Sequence, residues 1–332
     1  MQNPDRPIHH PQETRMTPEV SVVMHGASIP SVDHPDRNED AIYFSPESKF
    51  AVLADGVGGL ERGDIASRTT IRVIREQSEG IIDETQLLSA EFIMANALVN
   101  ASSAVLNETE GGGSTAISTQ LIGDRLIWAS VGDSRLYLLR KGKLQQITID
   151  DGPLVLVQKT DEEKKHIAQT LDEIVTLEDM LKTPTERTKD FMSDEDLATM
   201  LHEADEESGT EGETLEDVRE MSLYFYLYTH GNFITEMIGS QDGVRPAHGM
   251  VEVQPGDAFI LSSDGNHDNA KGSQIKKRVI AALRASEDPA LALVNQAKSI
   301  ADEGKGRAKH DDISVIVIQI GSKNEQIEAS QD

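Results

Sequence analysis

Apolar residues along this chain gather in short dense runs separated by Gly, Asp and Ser. SVVMHG (21–26), AIYF (41–44), FAVLADG (50–56), TAISTQLIG (115–123), RLIWASVGD (125–133), RLYLLRKGKLQQIT (135–148), GDAFILSSDG (256–265) and ISVIVIQI (313–320) are rich in Val, Ile and Leu and read as β-strands. Inside the sixth run, Arg140-Lys141-Gly142-Lys143 predicts a tight hairpin turn. Residues 63–79, 84–108, 273–285 and 289–303 instead repeat apolar positions every three or four residues, the helical period. Asp288-Pro289 supplies a helix start, with Asp as N-cap and Pro in the first turn. Strands come in runs and helices in pairs. That order predicts an α+β fold, with sheets packed together and helices outside, rather than alternating βαβ units.

Composition refines the domain picture. Residues 1–18 are proline-rich and polar and read as a disordered N-terminal segment, and 321–332 read as a polar tail. Between them, 19–320 form one domain, interrupted at 151–231 by a segment of different character. It holds 22 Asp/Glu against 7 Lys/Arg, a net of -15 and more than half of the chain's -27. Two acidic helices, 161–182 and 193–206, and a Gly/Glu/Ser linker at 207–214 are predicted there, as an insertion between core strands. SDEDLATMLHEADEE lacks the central glycine and ligand spacing of a calcium loop. A net charge of -27 argues against nucleic acid and anionic membrane as partners, since both need a basic face. Without cysteine there is no disulfide, thiolate metal site or cysteine nucleophile. No apolar run approaches membrane-spanning length and the first residues have no signal-type apolar stretch, so a cytoplasmic protein is expected, and a monomer is the accompanying expectation.

The acids stand where the strands end. Asp55 closes FAVLA and is followed by Gly56-Val57-Gly58-Gly59. Asp133 closes RLIWASVG, and Asp264-Gly265 closes AFILSS. Asp311-Asp312 precedes ISVIVIQI, and Glu39-Asp40 precedes AIYF. Turn chemistry accounts for any one such pair. Five strand ends carrying carboxylates call for a compensating cation, because an uncompensated buried charge is costly. Hard divalent ions such as Mg²⁺ and Mn²⁺ prefer oxygen ligands, and Gly56 leaves its carbonyl free to approach one. Two ions sharing a carboxylate suit phosphoester hydrolysis with water as the direct nucleophile. A nucleotide-binding reading fails, since no GxGxxG follows a strand and opens a helix.

RNEDAIYF, FAVLADGVGG, GGGSTA, WASVGDSRLYLLRKG, PGDAFILSSDG and HDDISVIVI follow one another as in the metal-dependent protein phosphatase (PPM) family, the type 2C serine/threonine phosphatases. The chain resembles the bacterial type over about 21–149 and 232–320. The resemblance implies a central antiparallel β-sandwich flanked by helix pairs, with two Mn²⁺ or Mg²⁺ ions at one edge and a third, weaker one in some members. Carried over by motif, Asp55 bridges the two ions, Gly56 gives one its carbonyl, and Asp264 and Asp311 are further ligands. Glu39 holds an ion directly or through water, Asp40 orients water, and Asp133 serves the third ion. The Gly111-Gly112-Gly113-Ser114-Thr115 turn is structural, since no Lys follows and no helix starts there. The implied activity is hydrolysis of phosphoserine and phosphothreonine in proteins. The alternatives are a weak or inactive pseudophosphatase that binds a partner, and a domain adapted to a small phosphorylated metabolite.

The chain departs from the family pattern at several points. The arginine that many members carry four residues before the glutamate is Pro35 here. Arg37, two residues before Glu39, falls on the same side of an extended chain and is the candidate replacement. Val57 stands where some members have a histidine general acid. His267 is a possible stand-in, although a surface histidine without a role is the simpler reading. Asp268 fits a further acid of this loop. Asp311-Asp312 replaces the usual Asp-Asn, and His310 reads as a turn residue. An acidic insertion near the site would favour basic phosphopeptides by charge complementarity.

Overall fold

A computed structural model describes residues 20–57, 62–80, 87–152, 234–304 and 308–322. Nearly all of the 151–231 insertion, together with 1–18 and most of 321–332, lies outside them. Among the described residues, ten strands form two antiparallel five-stranded sheets. The first has the order β1 (Val20–Ile29), β10 (Ile313–Ser322), β9 (Ala258–Ser262), β6 (Arg135–Arg140), β7 (Lys143–Gln146). The second runs β2 (Ala41–Ser45), β3 (Phe50–Ala54), β4 (Ala116–Ile122), β5 (Arg125–Val131), β8 (Ala247–Glu252). Helices α1 (Gly63–Ser78) and α2 (Leu87–Thr109) cover the second sheet. Helices α4 (Gly272–Arg284) and α5 (Pro289–Glu303) cover the first. A single turn, α3 (Asp264–His267), follows β9.

The central strands are apolar on both faces because both faces are buried. On β3, Ala51 and Leu53 join the seam between the sheets, whereas Phe50, Val52 and Ala54 meet the helices. On β9, Phe259 and Leu261 face the seam and Ala258 and Ile260 meet α4 and α5. On β10, Ile316 and Ile318 face inward and Val315 and Val317 outward. The layers are therefore helix, sheet, sheet, helix, and the α+β sandwich expected from the sequence is present.

Local signals explain the boundaries. Asp288 caps α5 by accepting the Leu291 N–H at 3.0 Å, with Pro289 in the first turn, and Gly304 ends the helix at φ 61°. Between β6 and β7, Lys141 (φ 50°) and Gly142 (φ 75°) both take the left-handed conformation of a two-residue hairpin turn. Strand β10 runs on to Ser322, two residues into the stretch read as tail. Two elements went unread in the sequence, the edge strand β8 and the short helix α3. Among the described residues, no helix is long and apolar enough to cross a membrane.

Candidate active site and metal centre

Both sheets deliver acids to one edge of the sandwich. Strand β3 ends at Ala54, and the next residue, Asp55, is held by its backbone. Its carbonyl accepts the Thr115 N–H at 2.8 Å and the Ser114 hydroxyl at 2.9 Å. The Gly56 N–H donates to the Glu39 carbonyl at 3.1 Å, and the Val57 N–H to the Gly113 carbonyl at 3.0 Å. The glycine-rich turn before β4 thus braces the loop of Asp55, a structural task. A Cβ on Gly56 would stand 2.5 Å from the Gly63 carbonyl oxygen and 2.8 Å from that of Glu39, so only glycine fits there.

The other acids come from four further junctions. Glu39 and Asp40 lead into β2 and are buried. Asp133 lies between β5 and β6. Asp264 opens α3 behind β9, and Asp311 precedes β10. These last three and Asp55 are partly buried and open to the surface on one side.

The electrostatics show how crowded the group is. Burial first, then the charges of Asp40, Asp264, Asp311 and Asp133, pushes the Asp55 carboxyl well above the usual carboxylate range. Asp133 moves the same way, through burial and then Asp264, Asp150 and Asp268. Burial drives Asp40 up to about 8, with Asp312 and Asp264 adding to it. Neither Asp40 oxygen has a hydrogen bond of ordinary geometry. The Ser314 and Ser263 hydroxyls beside it offset only part of that cost, since Ser314 Oγ already donates to Ser28 Oγ at 2.7 Å. Asp264 Oδ1 is buried without a partner as well. Glu39 is raised by burial, which Arg37 opposes with Nη2 at 3.1 Å from Glu39 Oε1.

Residues 36–156 match the family model described as protein phosphatase 2C. Serine/threonine protein phosphatase PstP of Mycobacterium tuberculosis is 36% identical over 117 residues, 35% of this chain and 22% of the relative. Serine/threonine phosphatase stp of Listeria monocytogenes is 29% identical over 147 residues, 41% of this chain and 57% of the relative. The chain thus spans between about a fifth and somewhat over half of these curated relatives. In three dimensions, the catalytic domain of PstP in complex with two manganese ions superposes with a TM-score of 0.56 at 21% identity, covering 92% of this chain and 100% of that one. Over residues 36–156 the chain is similar to type 2C phosphatases, and its fold is that of the bacterial PPM structures.

The motif acids lie on the same edge, and the charge of Asp264 reaches Asp40, Asp55, Asp133 and Asp311. The donor set fits a divalent ion on the structure's own terms. It is all oxygen, several of its carboxylates carry raised pKa values, and buried oxygens of Asp40 and Asp264 lack partners. Asp55, Asp264, Asp311 and Asp133 would hold ions at one end, Glu39 and the Gly56 carbonyl at the other.

Two PPM departures gain a physical account. Asp312, which replaces the usual Asn, spends both carboxylate oxygens on backbone N–H groups. Its Oδ2 accepts the Glu39 N–H and its Oδ1 the Ser31 N–H, each at 2.7 Å. His34, Glu39 and Asp312 do bring ligand atoms within 4.8 Å of one another. Those Asp312 oxygens are already engaged, however, and His34 Nδ1 meets the Arg37 carbonyl at 2.8 Å.

His267 corrects a sequence expectation. It is 3% exposed rather than a surface residue, because the α3 turn folds it inward, with Nδ1 3.3 Å from Ser262 Oγ. His310 lies at the surface 3.6 Å from Asp33 Oδ1, as suits a turn residue. Lys309 was not anticipated. Its Nζ is ion-paired with Asp264 and lies 2.9 Å from Asp311 Oδ2 and 3.7 Å from Asp268 Oδ2. The available signal was its place two residues before Asp311, on the same side of an extended link.

Proposed function

We propose that the chain is a metal-dependent phosphatase acting on phosphoserine and phosphothreonine in proteins. The observation that carries this reading is the convergence of strand-end carboxylates whose buried oxygens lack partners. When bound, two Mn²⁺ or Mg²⁺ ions would acidify water and neutralise phosphoryl oxygens. The chain's own residues then have separate tasks. Asp55, Asp264 and Asp311 would hold the ions, with Glu39 and the Gly56 carbonyl at the other end, and Asp133 would serve a third, weaker ion. Asp40 orients the attacking water and accepts its hydrogen bond. Arg37, half exposed beside Glu39, would grip the phosphate. The water oxygen bonds to phosphorus, the bond from phosphorus to the seryl oxygen breaks, and the proton that the water gives up passes to that oxygen.

The decisive experiment is hydrolysis of p-nitrophenyl phosphate and of a phosphothreonine peptide with Mn²⁺, with Mg²⁺ and with EDTA, beside Asp55→Asn. Metal-dependent turnover that vanishes in the variant supports the two-ion hydrolase, and a peptide rate far above that of the small ester supports protein substrates. No turnover from folded protein with any metal overturns it. The second reading, a pseudophosphatase that binds a partner, is favoured by Lys309, an internal cation within the acid group. The same assay separates the two.

Finer features belong to the same proposal: a cytoplasmic monomer with the domain at 19–320, and substrates of basic character selected by the acidic 151–231 segment. The last rests on that segment's net of -15. Deleting 185–220 shifts the preference between acidic and basic phosphopeptides if the segment selects, and leaves it unchanged if it does not.

A further inference from the structure

Lys309 is fixed by its backbone rather than reaching in from a loose surface position. Its N–H donates to Asn269 Oδ1 at 2.8 Å, and its carbonyl accepts from Asn269 Nδ2 at 2.9 Å. Asn269 is 4% exposed and donates also to the Gly265 carbonyl at 2.8 Å. One buried amide therefore clamps Lys309 to the turn that carries Asp264. From that anchor the ammonium ion-pairs with Asp264 and Asp311 and lies near Asp268, and its charge reaches Asp133. The ammonium thus occupies the oxygens that a divalent ion would need at this end. The Glu39–Gly56 end has Arg37 at its rim, half exposed and paired with one Glu39 oxygen, so the two ends differ.

We propose that Lys309 is a built-in competitor for the divalent ion at the Asp264–Asp311 end. This rests on the reading of the acid group as a metal centre. A divalent ion and an ammonium cannot share those oxygens at close range, because like charges a few ångströms apart repel strongly. For an ion to bind there, the lysine must swing out and give up its carboxylate partners. The Asp264–Asp311 end then fills at a higher ion concentration than the Glu39–Gly56 end. Full occupancy, and any activity that needs it, becomes graded by the ambient metal.

The test is Mn²⁺ binding itself. Full-length chain stripped with EDTA and dialysed is titrated with Mn²⁺ by calorimetry, and free ion is counted by its electron paramagnetic resonance signal. Wild type should show one tight and one weak class of ion. Lys309→Met should tighten the weak class about tenfold or more, while Lys309→Arg, which keeps the charge, should leave it weak. Melting curves show that each variant is folded. A single class of equal affinity in wild type overturns the proposal without recourse to any variant. Identical isotherms for wild type and a folded Lys309→Met overturn it too, and in both cases the phosphatase reading stands. No Mn²⁺ bound by either protein at millimolar concentration overturns both.

Discussion

The carboxylate of Asp312 accepts the backbone N–H of Glu39 at 2.7 Å, across 273 positions of sequence. Its second oxygen accepts the Ser31 N–H at the same distance. Asp312 stands at the entry to β10 in one sheet and Glu39 at the entry to β2 in the other, so this contact ties the sheets together beside the acid group. Both oxygens serve as acceptors, which explains Asp here. An Asn would turn its NH₂ toward one of the N–H groups. Replacing Asp312 by Ala leaves two buried N–H groups without acceptors, at about 1–3 kcal/mol each. Asp312→Ala should therefore unfold at markedly lower urea concentration and bind Mn²⁺ more weakly, because Glu39 loses its anchor. A wild-type urea midpoint would sink this account.

The metal-free protein should be more stable in mild acid than at pH 8. Asp40 is pushed up to about 8 by burial, and Asp151 to about 6 for the same reason. Asp55 and Asp133 are raised as well. Between the unfolded carboxyl range near pH 4 and these folded values, the folded chain binds more protons than the unfolded one. Its stability is therefore greatest on the acid side and is lost as pH rises through the folded values, by about 3–4 kcal/mol between pH 5.5 and 8. Saturating Mn²⁺ supplies the missing positive charge and should flatten that slope. Melting temperatures at the two pH values, in EDTA and in Mn²⁺, check both statements. A metal-free protein that melts higher at pH 8 contradicts the first.

What was legible in the sequence divides along physical lines. The strands buried on both faces, FAVLA, AFILS and ISVIVIQI, show as unbroken apolar runs, and Asp288-Pro289 and Lys141-Gly142 mark a cap and a turn that the fold uses. Strand β8, AHGMVE, is only half buried along an edge, so its pattern is faint. Helix α3 is a single turn whose DGNH sequence reads as a loop, and its inward turn of His267 depends on packing that no local pattern encodes. That acids end the strands was visible. That Lys309 would join them depends on Asn269, 40 positions away, and only the tertiary structure brings the two together.

Gly56 should tolerate no side chain. The atoms a Cβ would meet are backbone carbonyls of Gly63 and Glu39, at 2.5 and 2.8 Å, and neither can rotate aside. Gly56→Ala must displace either the start of α1 or the loop of Glu39, a strain of about 1–3 kcal/mol. Because the same displacement moves a carbonyl and a carboxylate of the site, Mn²⁺ affinity should fall together with stability. A variant that keeps wild-type Mn²⁺ affinity would show that the Gly56 loop is not part of the ion site.

Arg37 offers the sharpest division between binding and chemistry. Its side chain is 53% exposed, and Nη2 reaches Glu39 Oε1 at 3.1 Å. A fork of this kind suits a phosphate oxygen. If Arg37 holds the phosphate in ground and transition states alike, Arg37→Ala should raise KM for a phosphothreonine peptide about tenfold, with kcat changed by less than about threefold. The inhibition constant of inorganic phosphate should rise in parallel, because the free anion would use the same fork. Arg37→Lys, which keeps the charge but not the two-pronged geometry, should fall between. An unchanged KM and phosphate inhibition constant in a folded Arg37→Ala would mean that Pro35 has no replacement at Arg37, and that phosphate is held by another cation.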